Sequence, residues 1–370
     1  MTTVLISGAG VGGPALAYWL HRHGFVPTIV ERASSIRPGG HAVDVRGVAL
    51  TVIERMGLAG AVRGARTRMG GMSMVDRDGT ELMRSTEVAL SSGRLDSDDV
   101  EILREDLAGL LYEATRAHTR YLFDDTVTGI DQRPDGVRVT FENTGPETFD
   151  LVVGADGLHS TVRRLAFGPE REYVHHLGSY LGVFTAPNFL GLDRWQVWLR
   201  AEQEQVGYAV YSARDNTEIR ATMGFESGPL DYDRRDLDAQ RRLIEERVAG
   251  IGWETPRLVE AMWQAGDFYF DAMAQVRMDT WSAGRVTLLG DAGYCPSPLS
   301  GQGTSLALVG AYVLAESLAA ERGDHRSGFA RYEQRMREFV TLNQALATEN
   351  PGGPPAEEST EHAKWAIDLS

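Results

Sequence analysis

Three turns, far apart in the chain, carry the residues whose types and spacing can do chemistry. The first holds Gly8, Gly10 and Gly13, a G-x-G-x-x-G pattern directly after the apolar run at residues 4–6. Between a strand and a helix each glycine has its own task. The first permits a tight turn, the second lets a pyrophosphate approach the backbone, and the third lets the helix pack close to the strand. The helix then starts around Val11 and turns unpaired N–H groups and the positive end of its dipole toward phosphate. "PTIVER" follows as a second strand. Glu31 at its end, beside Arg32, can accept hydrogen bonds from ribose hydroxyls. This pattern predicts a dinucleotide without separating NAD from FAD.

The second turn lies in "FDLVVGADGLHSTVRRLAF", residues 149–167, where an apolar strand breaks at Asp156-Gly157 and a helix starts near Ser160, Val162 and Arg163. The third lies in "GRVTLLGDAGYCPSPLSGQGTSLALVGAYVLAESLA", residues 284–319. A strand at 286–289 ends in Gly290-Asp291, and a Pro- and Gly-rich loop, including Pro298 and Gly301, follows. A long apolar helix begins near Gly303 or Thr304. Asp291 is placed to hydrogen-bond a ribose or ribityl hydroxyl. The loop lets backbone come close to a flat ligand, and the helix points its positive end at whatever lies there. That arrangement suits a flavin, whose reduced form carries negative charge on its pyrimidine side.

In this order and at these separations the three turns resemble the single-component flavoprotein monooxygenases, the FAD-dependent aromatic hydroxylases of the p-hydroxybenzoate hydroxylase type. The short length and "GG-x-x-x-D" at residues 39–44 look most like the tetracycline-inactivating monooxygenases and antibiotic-tailoring hydroxylases. The resemblance spans residues 3–345. It implies an α/β fold, a Rossmann-like FAD-binding domain with an inserted mixed-sheet substrate domain. It also implies that Gly8, Gly10, Val11 and Gly13 hold the pyrophosphate and that Glu31 and Arg32 hold the adenosine side. Arg104 would reach the phosphate and ribityl region, and Asp156 would serve both FAD and NAD(P)H. Asp291 would hold the ribityl or pyrophosphate end, with Pro298, Gly301, Gly303 and Thr304 over the isoalloxazine and Asp44 and Arg46 at the ring edge. Two positions depart from the family pattern: Ser305 stands where many relatives carry Asn, and Tyr294 where His is frequent.

The implied chemistry belongs to the cofactor. Hydride passes from NADPH or NADH to FAD, and the reduced flavin adds O2. The resulting C4a-hydroperoxide then transfers one oxygen atom to an aromatic or polyketide-like compound, tetracycline-type antibiotics among them. The protein orients the substrate, excludes water and sets the flavin's electrostatics. "GADGLH" is not a second G-x-G-x-x-G, and one cysteine cannot form a redox-active pair, so a two-dinucleotide reductase is excluded. A halogenase of this fold would need a W-x-W-x-I-P pattern and an active-site lysine. The chain has "WQVWLR", and its only lysine is Lys364, near the end. Baeyer–Villiger oxygen insertion on the same scaffold and a flavin-binding accessory protein without turnover stay open as alternatives.

The elements that must position these groups are legible in part. The FAD domain is expected to be assembled from residues 1–72, 97–172 and 274–345. The substrate domain is then inserted as 73–96 and 173–273. "WQVWLRA", "VGYAVYSAR" and "EIRATMGF" alternate with the period of half-buried strands, and "DYDRRDLDAQRRLIEERVAGI" reads as a charged amphipathic helix. Gln196, Trp198, Tyr211, Arg220 and Met223 on those strands are the candidate substrate contacts, suited to a flat, partly apolar pocket. His159 and His41 read first as structural hydrogen-bonders, with proton relay as the alternative. Cys295, in the flavin loop, is read as a buried inert thiol rather than a covalent flavin anchor. Residues 346–370 read as a linker with a short docking helix.

Composition bounds the rest. With 370 residues there is room for two interlocked domains. The net charge of -15 argues against a nucleic-acid partner. One cysteine excludes an internal disulfide and fits a reducing compartment. The N-terminal apolar run is too short for a signal peptide or a membrane span. The expectation is a cytoplasmic enzyme, monomer or weak homodimer, with no metal site.

Overall fold

A computed structural model of the chain describes residues 1–90, 93–322, 324–350 and 353–369. Its first layer is a six-stranded sheet in the order Ser282–Ala283, Val286–Leu288, Leu151–Gly154, Thr3–Ser7, Val26–Val30 and Arg120–Leu122. All its pairings are parallel except that of the short first strand. Residues such as Leu5, Ile6, Ile29 and Val153 are wholly buried, as expected of a parallel sheet covered on both faces. Helices Gly12–Arg22, Gly303–Ala320 and His325–Glu349 supply much of that cover. The helix Gly303–Ala320 is long and apolar enough by composition to cross a membrane, yet most of it is buried inside the protein.

This order explains how three distant turns meet. Thr3–Ser7, Leu151–Gly154 and Val286–Leu288 are adjacent parallel strands, and each turn leaves the carboxyl end of one of them. Ligands of open α/β sheets bind at that edge. Contact is tight enough that glycine is required twice: a Cβ on Gly8 (φ +108°) would strike the Ala155 carbonyl, and one on Gly13 would strike the Gly8 carbonyl.

The second layer is a seven-stranded mixed sheet, ordered Tyr269–Val276, Val174–Pro187, Glu218–Glu226, Val206–Ala213, Trp195–Ala201, Gly71–Val75 and Glu81–Ser85. One face packs on helices Leu237–Val248 and Thr255–Gln264 through Tyr208, Ile219, Phe225, Ile244, Leu258 and Met262. The other face meets the parallel-sheet layer: Gln275 Nε2 donates to the Pro296 and Gln344 carbonyls at 3.1 and 2.7 Å. Two of the expected seams fall inside strands. Residue 73 lies within Gly71–Val75 and residue 273 within Tyr269–Val276. A strand continues as long as its partner offers hydrogen bonds, and composition does not reveal where that partner ends.

Candidate flavin site

The glycine turn is held from behind and open in front. Gly8 N–H donates to the Val30 carbonyl at 2.8 Å. Glu31 accepts from Ala9 N–H through Oε2 at 2.8 Å and from Ala33 N–H through Oε1 at 2.9 Å. The carboxylate therefore braces the turn, and each oxygen keeps a lone pair for a ribose hydroxyl. Gly10 is exposed, and a Cβ there would meet nothing within 4 Å. Val11 precedes the helix Gly12–Arg22 without a side-chain cap, and the first turn holds no acidic residue. Those amides are left for an anionic ligand. Arg32 is exposed at the strand's end.

Asp156 is occupied with its own turn. It accepts from Ser160 Oγ at 2.5 Å and from the Thr161 and Val162 amides at 2.9 and 3.1 Å, with Ser7 Oγ at 3.4 Å. Burial pushes its carboxyl pKa up. The structure thus gives it the anchoring of Thr161–Ala166 to the first strand. Arg163, fully buried, donates to the Ala292 carbonyl at 2.8 Å and the Leu158 carbonyl at 2.6 Å, stapling the second turn to the third.

In the third turn Asp291 opens to the cleft, while the protein around it pushes its pKa up. A Cβ on Gly303 would sit 3.7 Å from Asp291 Oδ1, which places that carboxylate at the N-terminus of Gly303–Ala320. That end, too, has no side-chain cap and no acid in its first turn. Ser297 (φ 75°) and Gly301 (φ 65°) bend the loop around the short 3-10 turn Pro298–Ser300. Thr304 is half-buried beside them. Gln302 is fully buried with both side-chain amide atoms unpartnered, a polar group in the flavin loop that the sequence reading passed over.

Asp44 and Arg46 form a buried pair at 2.8 Å. The Arg46 guanidinium lies 3.6 Å from where Gly301 would carry a Cβ, so the pair borders the loop around Pro298–Ser300. Burial raises the Asp44 pKa to about 7 against the pull of Arg46. Ser305 accepts from Arg46 N–H at 3.1 Å and ties the two segments together. Tyr294 shares a 2.7 Å hydrogen bond with Tyr332 in the core. Arg104 turns its Nη2 to three carbonyls, of Arg37, Pro38 and Gly39, at 3.1, 3.3 and 2.6 Å. Burial and then Arg37 lower its pKa to about 10, and burial with both arginines lowers His41 to about 4. Held neutral beside two cations, His41 offers one donor and one acceptor nitrogen.

Of the candidate substrate contacts, four share the sheet face toward the cleft and one does not. Gln196, Tyr211 and Arg220 lie opposite one another across three strands, and Trp198 follows on the same face, its Nε1 donating to Gln196 Oε1 at 2.6 Å. Met223 points to the other face and is wholly buried in the core behind it. Strand parity separates it from Arg220, three residues away. Tyr211 accepts from Ala42 N–H at 2.6 Å, and Arg220 pairs with Glu105 and Glu218 at 2.7 and 2.8 Å. Around Trp198 the face carries Met74, Val183, Ala209, Thr222, Tyr269 and two glycines, Gly207 and Gly224. His159 is gripped by Glu170 and Asp271, each at 3.0 Å, which outweighs its burial and raises its pKa. Cys295 is buried with its thiol pKa pushed up by that burial, so it stays neutral and unreactive.

These features fit FAD: two uncapped helix ends, an open glycine, and a carboxylate, Glu31 and Asp291, beside each of the two helix-start turns. The sequence itself matches the FAD binding domain family, FAD_binding_3, over residues 1–345. The chain belongs to that family. A flavin-dependent monooxygenase of Legionella longbeachae is 42% identical over 342 residues, covering 92% of this chain and 86% of its own. An uncharacterized protein of Mycobacterium tuberculosis is 53% identical over 356 residues, 96% of this chain and 95% of that one. Among solved structures, tetracycline destructase Tet(51) superposes with a TM-score of 0.89 at 35% identity, covering 100% of this chain and 99% of its own. Tet(55) gives 0.87 at 38%, covering 99% and 98%. The chain is an FAD-dependent monooxygenase with the hydroxylase fold expected from its three turns.

Proposed function

We propose that this monooxygenase uses NADPH or NADH as electron donor and inserts one oxygen atom from O2 into a polycyclic, polyketide-like compound, with tetracycline-type antibiotics the first to test. What carries the substrate class is the likeness to Tet(51) and Tet(55) along the whole chain. The sheet face over the cleft supports it. Trp198 and Met74 offer apolar area, while Gly207 and Gly224 leave room for a flat ring system.

FAD would be held by the backbone of Gly8–Gly13, by Glu31 and Asp291, and by the loop Pro298–Thr304, its bound form supplying the electron transfer and oxygen activation. The chain's own residues do the rest. The N-terminus of Gly303–Ala320 lowers the cost of negative charge over the loop. Asp44 keeps a proton on its carboxyl up to about neutral pH, beside Arg46. Gln196 and Trp198 orient polar substituents of the substrate. In this reading, residues 1–72, 97–172 and 274–345 carry the cofactor, with the seams shifted to the strand ends, and the seven-stranded sheet roofs the substrate.

The test is to load the protein with FAD and screen tetracyclines and other polycyclic phenols for stimulated NADPH and NADH oxidation. Products should gain one oxygen, about 16 Da. A protein that stays colourless with FAD, or active compounds that gain a halogen or lose two hydrogens, would sink the assignment.

A further inference from the structure

The chain uses arginine for 36 of its 37 basic positions (37 Lys+Arg less the one lysine), and that lysine is buried. Lys364 ends the helix Glu357–Lys364 and is 6% exposed. Its Nζ lies 3.0 Å from Asp99 Oδ2 and 2.5 Å from Glu361 Oε1. The other oxygen of Asp99 accepts from Gly47 N–H at 3.0 Å. One carboxylate therefore clamps the C-terminal segment on one side and the turn after Arg46 on the other.

The contact is close. Gly47 has φ +52°, and a Cβ there would stand 2.5 Å from the Lys364 carbonyl oxygen and 2.7 Å from its Cγ, so the tail lies directly on this glycine. Gly47 caps the helix Val48–Arg55 and follows Arg46. Arg46 donates its N–H to Ser305 and lays its guanidinium against Gly301. Contacts thus run without a gap from Lys364 through Asp99, Gly47 and Arg46 to the loop assigned to the flavin. Asn343 Nδ2 on the Ala363 carbonyl at 3.0 Å and Arg55 on the Leu369 carbonyl at 2.9 Å hold the rest of the tail.

We propose that Lys364 is a positioning residue that locks the turn at residues 44–47 against the flavin loop, so that docking of the C-terminal helix and binding of FAD reinforce each other. The inference rests on the FAD reading of the loop. An ammonium in a buried site, paired to a carboxylate that also holds a backbone amide, has little freedom to move without the turn moving too. Coupling between two sites is reciprocal: whatever docking adds to FAD affinity, FAD adds to docking.

The single lysine makes the test direct. Among side chains an amine-acylating reagent at neutral pH can mark Lys364 alone, and only while the tail is lifted. The exposed N-terminal amine serves as internal control. Saturating FAD is expected to slow Lys364 acylation at least about 5-fold, the low end of ordinary coupling, with the N-terminus unchanged. In the full chain, Lys364→Met is expected to weaken FAD binding by a similar factor in fluorescence titration. The double variant Lys364→Met/Asp99→Asn should recover the melting temperature, because it leaves no unpaired buried charge, but not the FAD affinity, because the ammonium that ties the tail to the turn is still missing; recovery of both would overturn the positioning role. Melting temperatures show that each variant is folded. Equal acylation rates with and without FAD, in protein that binds FAD, would overturn the coupling while leaving the flavin reading intact. So would a Lys364→Met variant that melts earlier but binds FAD normally. Failure to bind FAD at all would instead strike the flavin reading.

Discussion

Gly10 and Gly13 stand three residues apart and meet opposite surroundings, so the same substitution should fail in two different ways. A Cβ on Gly13 strikes the Gly8 carbonyl, and Gly13→Ala should disturb the strand–helix junction, lowering both melting temperature and FAD affinity. A Cβ on Gly10 meets nothing. Gly10→Ala should melt within about 0.5 kcal/mol of the parent without FAD, yet bind FAD at least about 10-fold more weakly, since the methyl fills space meant for pyrophosphate. Melting curves and flavin titrations separate the two. Asp44 gives a pH prediction at the same scale. Its pKa rises on folding to about 7, so the folded chain holds a proton that the unfolded chain loses near pH 4. Stability from this group is complete at low pH and is lost as pH climbs to about 7, by up to about 1.4 kcal/mol per unit. The stability of Asp44→Asn relative to the parent should therefore improve between pH 5 and 7 and level off by pH 8. A pH-independent difference would mean that Asp44 is ionised throughout.

The elements were readable where spacing and burial follow one rule, and opaque where the rule concerns a partner strand. "WQVWLRA" matches the strand Trp195–Ala201 and "EIRATMGF" falls within Glu218–Glu226, because alternation is intrinsic to a half-buried strand. The faces were harder. Met223 and Arg220 share one strand, but their odd spacing sends the two to opposite sides. The acid of the middle turn was legible as a motif but not as a cap, since its acceptor role toward Ser160, Thr161 and Val162 depends on a turn closing back on itself. Nor does composition disclose that Arg163 reaches a carbonyl 129 residues away. Arg163→Met keeps the apolar stem and strands two buried carbonyls, which should cost about 3 kcal/mol in the denaturant midpoint. FAD affinity should fall with it, because Ala292 adjoins Asp291. A loss under about 1 kcal/mol would mean that water replaces the guanidinium.

At the scale of the whole molecule, the two layers are joined by a cluster centred on Glu105. Its Oε2 accepts from Gly39 N–H at 2.6 Å, in the loop that Arg104 also holds. Its Oε1 accepts from Arg214 and Arg220 of the seven-stranded sheet, each at 2.7 Å. The two arginines are chemically alike and differ in burial: Arg214 is 42% exposed in its side chain and Arg220 3%. Magnitudes then decide which contact matters. An exposed pair is worth about 1 kcal/mol or less, and salt screens it. Removing the partner of a buried charge costs about 3–5 kcal/mol, moderated here by Glu218, which remains beside Arg220. Arg214→Ala should therefore shift the urea midpoint little, and not at all in 0.5 M salt. Glu105→Ala should cost about 2–4 kcal/mol at either salt concentration and weaken FAD binding by loosening Gly39. Equal losses in the two variants would mean that the layers are held by their apolar contact alone, and that the cluster merely decorates the seam.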